Sequence, residues 1–192
     1  MTTINSFEFP NSYADITLAQ LEEIVKHQEE LDKSSVINDI ILMLKPDLDI
    51  NSLKMDEYFL IVNSIYEMLQ DVNSLVPAKD FYLDGKKWTV REVEDINVRE
   101  FVDFENLCKD IQNDPSNVAL LIALVATDGS EIPEKDYVKE VCRRAEMFRN
   151  LNAQWAMEAV LFFVTSWMRL SENTTISSDK TKKPRKKATR QK

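Results

Sequence analysis

The residues best suited to metal or acid–base chemistry lie within one short stretch near the N-terminus. It contains Glu22, Glu23, Glu29 and Glu30 around His27, which is the only histidine in the 192-residue chain. A helical metal site needs inward-facing carboxylates and ligands from facing helices, as in the Glu-x-x-His motif, whereas Glu23 and His27 are four residues apart. We interpret the stretch as a solvated, charged helix face.

The chain also has few of the residues that nucleophilic catalysis needs. A Ser–His or Cys–His pair would depend on His27 alone, because there is no second histidine. Only two glycines, Gly85 and Gly129, are available for a phosphate-binding loop, which needs glycine for close backbone approach. We therefore predict that the protein is not an enzyme and has no catalytic, metal or cofactor site.

The cysteines and the N-terminus bear on where the protein works. Cys108 and Cys142 are too few for a disulfide framework or a four-ligand zinc site, so we expect reduced thiols that pack as small core residues. The first ten residues lack the basic and apolar regions of a signal peptide. The longest apolar run, 118–126, is far shorter than the roughly 20 residues of a membrane-spanning helix. We expect a soluble, cytoplasmic protein without membrane contact.

The last thirteen residues hold a different candidate site, a run of positive charge. Its basic members are Lys180, Lys182, Lys183, Arg185, Lys186, Lys187, Arg190 and Lys192. The remaining 179 residues hold 16 basic and 33 acidic side chains, a net charge of −17. Such a tail can bind nucleic-acid phosphates with little sequence preference, or serve as a nuclear-import address. It can also be a solubilising segment or fold back on the acidic body, and the sequence leaves these alternatives open.

Scarce glycine and apolar residues at helical spacing predict a mainly α-helical fold, with two helical modules joined by a short β-hairpin. The predicted segments are a flexible N-terminal segment at 1–14, a first helical module at 15–79, the hairpin at 80–92, a second helical module at 93–170 and a disordered basic tail at 171–192. Helices are predicted at 18–31, 34–44, 55–72, 97–111, 116–127, 134–150 and 152–170. The last of them is apolar around most of its circumference, which is typical of the buried centre of a bundle.

Two local signals fix the ends of these elements. Thr17, or Asp15 before it, is a suitable N-cap for the first helix. The segment FYLDGKKWTV carries Asp84-Gly85 between aromatic and β-branched residues, which predicts a two-residue turn with Phe81 facing Trp88.

The two modules align at an offset of 80 residues. Asp15-Ile16 matches Asp95-Ile96, and 10 of the 14 apolar residues from 16 to 44 have an apolar counterpart. We predict an internal repeat in which Leu18 superposes on Val98, although a shared helical period also explains the match. The segment 133–150 would then be an insertion, and its arginines at 143, 144 and 149 would form a basic patch.

A partner-binding surface is expected on the first module, because the second contains the most apolar helices and should supply the core. The helix predicted at 55–72 has more apolar side chains than one contact stripe requires. We select Phe59 and Tyr66 as partner contacts, since helix-in-groove binding uses such spacings, with core packing as the alternative.

The second module also resembles a known group of proteins. The order is the hairpin FYLDGKKWTV, the start DINVREFVDF, the helix VALLIALVA, a helix containing RAEMF and a final helix with AVLFF. This order, over residues 80–170, resembles small helical proteins encoded among the tail genes of tailed bacteriophages, such as tail-assembly chaperones and tail accessory proteins. The resemblance implies transient binding of a hydrophobic tail component, such as a tape-measure protein, in the host cytoplasm or in the virion.

The sequence thus predicts a non-enzymatic assembly factor or accessory structural protein. The alternative is a virion- or nucleoid-associated protein that contacts nucleic acid through its tail.

The tail hypothesis makes a direct prediction about binding. If residues 180–192 bind DNA or RNA, a chain ending at Leu170 should lose all nucleic-acid binding and keep its fold. The affinity of the full chain should fall with salt, with a log–log slope of roughly −0.7 to −0.9 per phosphate engaged. Filter binding or anisotropy across a salt series measures this, and binding that survives the truncation would place the nucleic-acid site on the body.

Overall fold

A computed structural model describes residues 2–4, 7–110, 114, 117–130 and 134–179. Within them the fold is mainly helical, as predicted. The helices are α1 (Leu18–Lys26), α2 (Ser34–Leu44), α3 (Met55–Gln70), α4 (Val98–Asp110), α5 (Asn117–Val125), α6 (Tyr137–Phe148) and α7 (Ala153–Asp179). The strands are β1 (Thr2–Ile4), β2 (Phe7–Phe9), β3 (Asp80–Leu83), β4 (Lys86–Val90) and β5 (Ala126–Thr127). Strands β1 and β2 form one antiparallel pair, and β3, β4 and β5 form a three-stranded antiparallel sheet in that order.

The predicted central hairpin is confirmed, including its register. Phe81 lies opposite Trp88 and Tyr82 opposite Lys87. Asp84 has a φ of 51° and Gly85 a φ of 75°, and positive φ at both central residues is the turn that matches the twist of the flanking strands. Strand β5 was not predicted, because it is two residues long and directly continues the apolar sequence of α5.

The N-terminal segment, predicted to be flexible, instead contains the β1–β2 hairpin and a 3-10 turn at Tyr13–Asp15. Phe9 is fully buried and Tyr13 is 6% exposed, so both aromatic rings belong to the core. The Tyr13 hydroxyl donates to the Leu69 carbonyl oxygen, 3.4 Å away, at the end of α3. These contacts tie the start of the chain to the first module.

Local sequence signals account for the start of α1 and the end of α2. Thr17 is the N-cap of α1, where its Oγ1 accepts the Gln20 N–H and the Gln20 Oε1 accepts the Thr17 N–H in a reciprocal capping box. Helix α2 has the predicted bounds and ends before Lys45-Pro46. The predicted boundary between helix and tail at residue 171 falls inside α7, which continues to Asp179.

The offset of 80 residues reappears in the backbone. The 3-10 turn at Tyr13–Asp15 has a counterpart at Val93–Asp95, and helices start at Leu18 and Val98. The Thr17–Gln20 capping box is repeated by Asn97 and Glu100, whose side chains each accept the other's backbone N–H at 2.9 Å. A hairpin precedes each turn, so the repeated unit begins before the first module predicted from the sequence.

Helix α6 has a counterpart in the first module, helix α3, in contrast to the insertion predicted for this part of the chain. Helices α3 and α6 each follow a 3-10 turn, at Ile50–Ser52 and Glu134–Asp136 respectively. Helix α3 contacts β1, and α6 places Phe148 against the rings of Phe81 and Trp88 in the second hairpin. The added element is α7, which contacts the 3-10 turns at Tyr13–Asp15 and Val93–Asp95, helices α1 and α5, and the sheet.

The two units differ in how their first helix is covered. Leu18 is fully buried, because the backbone of residues 149–153 hydrogen-bonds to residues 16–19, whereas Val98 is 81% exposed. The predicted pair Leu18 and Val98 therefore shares a backbone position and not an environment. Leu44 and Leu124 are both buried, at 8% and 4%.

The most buried helix is α5, not α7. Residues 121–125 of α5 are all at most 4% exposed, and α4, α6 and α7 pack around it. Helix α7 buries Ala153, Ala156 and Phe163 but leaves Trp155 44% exposed, so it is not the buried centre predicted for it.

The contact of Phe148 with the central hairpin predicts a large stability effect. Its ring is fully buried, with centroids 4.8 Å from Trp88 and 5.6 Å from Phe81. Phe148→Ala should lower the free energy of unfolding by about 3–5 kcal/mol, because it removes a large buried side chain and leaves a cavity. Urea denaturation measures this. Tyr82→Ala, which removes an aromatic ring 55% exposed on the same hairpin, is the control and should change it by about 0.5 kcal/mol or less.

Candidate protein-docking groove

An open groove lies between α2, the 3-10 turn at Ile50–Ser52 and α3. Its volume is about 530 Å³. Its lining is mostly apolar and includes Ile37, Leu53, Met55, Phe59, Val62 and Tyr66. We call this feature the docking groove.

The outer wall of the docking groove is a stripe of apolar side chains on α3. Met55, Phe59, Val62 and Tyr66 are separated by four, three and four residues, which places them on one face of the helix. Met55 is 66% exposed, Phe59 55% and Tyr66 36%. The core-facing side of the same helix carries Ile61, Ile65 and Met68, which are fully buried. Helix α3 is therefore apolar on two sides, of which only one is covered.

Hydrogen bonds hold the walls of the docking groove in place. The Tyr58 hydroxyl donates to Asn38 Oδ1 at 3.0 Å and so connects α3 to α2. The Glu57 carboxylate accepts the Lys54 N–H at 2.8 Å at the start of α3, and Asp49 accepts the Asn51 N–H at 3.1 Å in the turn before it. These contacts position α3 and the turn before it relative to α2.

The structure brings together the two partner contacts selected from the sequence. Phe59 and Tyr66 line the same groove, and their exposure argues against core packing, the alternative explanation of their apolar character. Sequence reasoning did not select Met55, Val62 or the α2 side of the groove. The expectation that exposed apolar side chains lie on the first module is wrong, because Val98 and Trp155 of the second module are also exposed.

The docking groove is built from an acidic part of the sequence. Residues 28–70 contain nine Asp or Glu and three Lys, a net charge of −6. Asp32 lines the groove, while Asp56 and Glu67 directly follow Met55 and Tyr66 along α3. Within the described part of the chain, none of these three carboxylates makes an ion pair. Among the three lysines, Lys33 is already paired with Glu30, at 2.5 Å.

A second cavity, of about 590 Å³, lies between β5, α4 and α6 and is lined mainly by polar side chains. Two of its arginines have structural partners. Arg91 forms a two-pronged ion pair with Glu100, at 2.9 and 3.2 Å, and also donates to the Leu124 carbonyl oxygen. Arg144 is 3% exposed and donates to Glu140, to the Ala126 carbonyl oxygen and to Ser130. These arginines hold the end of α5 and the β5 strand in place.

The predicted basic patch on α6 is not formed, because each of its arginines has an acidic partner. Arg143 and Arg144 both donate to Glu140, and Arg149 pairs with Glu146 at 2.9 Å. Hydrogen bonds from Arg143 and then Arg144 lower the pKa of Glu140 to about 2. At Asp128, hydrogen bonds from Lys86 and Ser130 outweigh the effect of burial and hold the carboxyl pKa well below its usual value.

The glutamates and the histidine in and just after α1 lie in different environments. Glu22 is buried rather than solvated, accepts the Ala119 N–H at 3.3 Å and lies 3.4 Å from Arg149; burial raises its pKa. Glu23 instead contacts His27 at 3.0 Å on the surface. Among the described residues, no group of three His, Cys, Asp or Glu side chains is placed to hold a metal ion.

The other residues selected from the sequence have different outcomes. Cys108 is half-buried, but Cys142 is exposed and is not a core residue. The eight basic residues from Lys180 to Lys192 lie outside the described part of the chain. No helix in the described ranges combines the length and apolar character needed to cross a membrane.

Comparison with known proteins adds no relative: no family model, no curated protein and no solved structure matches this chain.

The Glu140 ion pairs make stability depend on pH. The pKa of Glu140 in the folded state is lowered to about 2. Its ion pairs therefore contribute fully to the free energy of unfolding above the usual glutamate pKa of about 4.3, and this contribution is lost as the pH falls toward 2. Glu140→Gln should therefore be less stable than the native chain at pH 7, and the difference should shrink between pH 5 and about 2. Urea denaturation across this range measures it. Glu146→Gln, at a side chain 76% exposed, is the control and should show little difference at any pH. A Glu140→Gln deficit that stays constant down to pH 2 would contradict the assignment.

Proposed function

We propose that this protein is a non-enzymatic, protein-binding assembly factor that holds an apolar helix of a partner in the docking groove. The observation that carries the proposal is the stripe of exposed Met55, Phe59 and Tyr66, with the half-buried Val62 between them, along the groove. A contiguous exposed apolar surface with a polar rim marks an interaction site, because leaving such a surface in water costs free energy.

The geometry of the stripe favours a helical ligand. Eleven residues separate Met55 from Tyr66, so the stripe is about 16 Å long at 1.5 Å per residue, or about three helical turns. A partner helix with apolar residues at matching intervals can place them between α2 and α3. Aromatic side chains such as Phe59 and Tyr66 are frequent anchors of such interfaces, and complete burial of an apolar side chain of this size contributes up to about 1.5–3 kcal/mol.

The proposed source of the partner follows from the sequence resemblance to tail-gene proteins of tailed bacteriophages. A structural protein with long apolar helices, such as a tape-measure protein or another tail component, presents this kind of ligand before assembly. We propose that binding is transient and occurs in the host cytoplasm, with the assembled virion as a second possible location.

A second candidate function rests on the basic tail. Eight positive charges within residues 180–192 suit non-specific contact with nucleic-acid phosphates. Residues 1–179 carry a net charge of −17 and repel a polyanion, so we propose this function for the tail alone. It is compatible with a protein-binding body.

Affinity capture from the native host, with crosslinking and mass spectrometry, tests the docking groove. Phe59→Asp should abolish crosslinks between residues 55–66 and the partner, because it places a carboxylate in an apolar contact. Its melting temperature should stay close to that of the native chain, since Phe59 is 55% exposed. Tyr82→Asp is a matched control, because it adds the same charge at an aromatic residue that is also 55% exposed.

Two results would contradict the proposal. One is a partner that is captured equally well by the Phe59→Asp variant and by the native chain. The other is loss of capture in both variants, which would show that added charge rather than the docking groove determines binding.

A further inference from the structure

We infer that the ligand of the docking groove is a basic amphipathic α-helix of another protein. This inference rests on the proposed function and adds the chemical class of the partner. The apolar stripe accounts for the apolar face of this helix, and the acidic residues near the groove account for its positive charge.

Three carboxylates, which we call the acidic rim, lie on or beside the apolar stripe, and the cation next to Asp32, Lys33, is hydrogen-bonded to Glu30. Asp32 lies on the groove lining, and Asp56 and Glu67 adjoin the two ends of the stripe on α3. None of the three is ion-paired within the described residues, in contrast to the glutamates on α6. An acidic ligand would bring like charges together at this rim, whereas lysine or arginine side chains would complement it and accelerate encounter.

The spacing of the acids indicates where the ligand carries its positive charge. Asp56 and Glu67 are eleven residues apart, about the length of the stripe itself, so complementary charges belong near both ends of a three-turn helix. The ligand then has apolar residues at intervals of three or four along one face and lysine or arginine along its borders. Long basic side chains are suited to this position because their aliphatic stems pack on apolar surface while the charge stays in water.

The basic tail of the chain itself does not meet this description. Residues 180–192 have the required charge, but Pro184 and Ala188 supply their only apolar side chains, and both are small. A segment of this composition cannot cover the apolar stripe. The complete ligand, with both apolar and basic faces, must therefore come from another protein.

The test is selection from a displayed library of random 16-residue peptides on the full chain at about 50 mM salt, with counter-selection on the Phe59→Asp variant. Enriched peptides are synthesised and their affinities measured by fluorescence anisotropy. We expect amphipathic helical sequences with net positive charge. Their affinity should fall about tenfold between about 50 and 500 mM salt, because the rim pairs are exposed and screened. It should also fall about tenfold in an Asp32→Lys, Asp56→Lys, Glu67→Lys variant.

The other outcomes separate this inference from the proposed function. Peptides that require Phe59 but are neutral or acidic, or whose binding is insensitive to salt and to the charge reversal, overturn the inference and leave the groove as a docking site. A library that yields no Phe59-dependent peptide overturns both. A further full-length variant, with Lys183, Arg185 and Lys186 replaced by glutamine, tests the tail as a competitor. A severalfold rise in peptide affinity in that variant would identify the tail as the ligand of the rim and overturn the assignment to another protein.

Discussion

Backbone hydrogen bonds between residues 16–19 and residues 149–153 join the first helix of the chain to the last. The Leu18 N–H donates to the Leu151 carbonyl oxygen at 2.8 Å, and the Ala153 N–H donates to the Ile16 carbonyl oxygen at 2.9 Å. The first N–H groups of a helix have no hydrogen-bond acceptor within that helix. In α1, two of them donate to carbonyl oxygens of the turn at 149–151: Leu18 to Leu151, and Ala19 to Arg149. The same turn buries Leu18 completely.

This junction fixes the position of α7 as well as that of α1. Helix α7 starts at Ala153, within the junction. It then contacts the 3-10 turns at Tyr13–Asp15 and Val93–Asp95 and packs along α5. Arg149 extends the junction through its 3.4 Å ion pair with Glu22, whose carboxylate also accepts an N–H of α5. A buried carboxylate is tolerated there because a guanidinium and a backbone donor compensate for its lost hydration. The first module and the core of the second are thus held as neighbours by groups from three distant parts of the chain.

The two repeated units have similar local structure and different exposed surfaces. Both pass from a hairpin through a 3-10 turn and a reciprocal capping box into a helix, yet Leu18 is covered and Val98 is exposed. Their third helices diverge further. Helix α6 buries Phe148 against the hairpin and satisfies Arg144 internally, whereas α3 leaves Phe59 and its stripe in contact with solvent. Both units bury large apolar side chains in the core, and the first also provides the surface on which we propose that a partner binds.

The sequence by itself determined those features that depend on neighbouring residues. Asp84-Gly85 fixed the central hairpin and its register, because only residues that tolerate positive φ fit its turn. Thr17 and Pro46 marked a helix start and a helix end, since capping and proline geometry act within a few residues. The mainly helical class also followed from local spacing.

Tertiary structure alone decided which apolar faces are covered and which short strands form. The three-residue strands of the N-terminal hairpin and the two residues of β5 carry little local signal, and β5 exists because it pairs with Thr89 and Val90 of β4. Periodicity showed that α3 is rich in apolar residues, but not that Ile61 faces the core while Phe59 faces solvent. That distinction depends on what packs against each side of a helix, and the packing partners are distant in sequence. For the same reason the charge of Glu22 did not reveal its burial, and the docking groove became visible only once α2 and α3 were placed side by side.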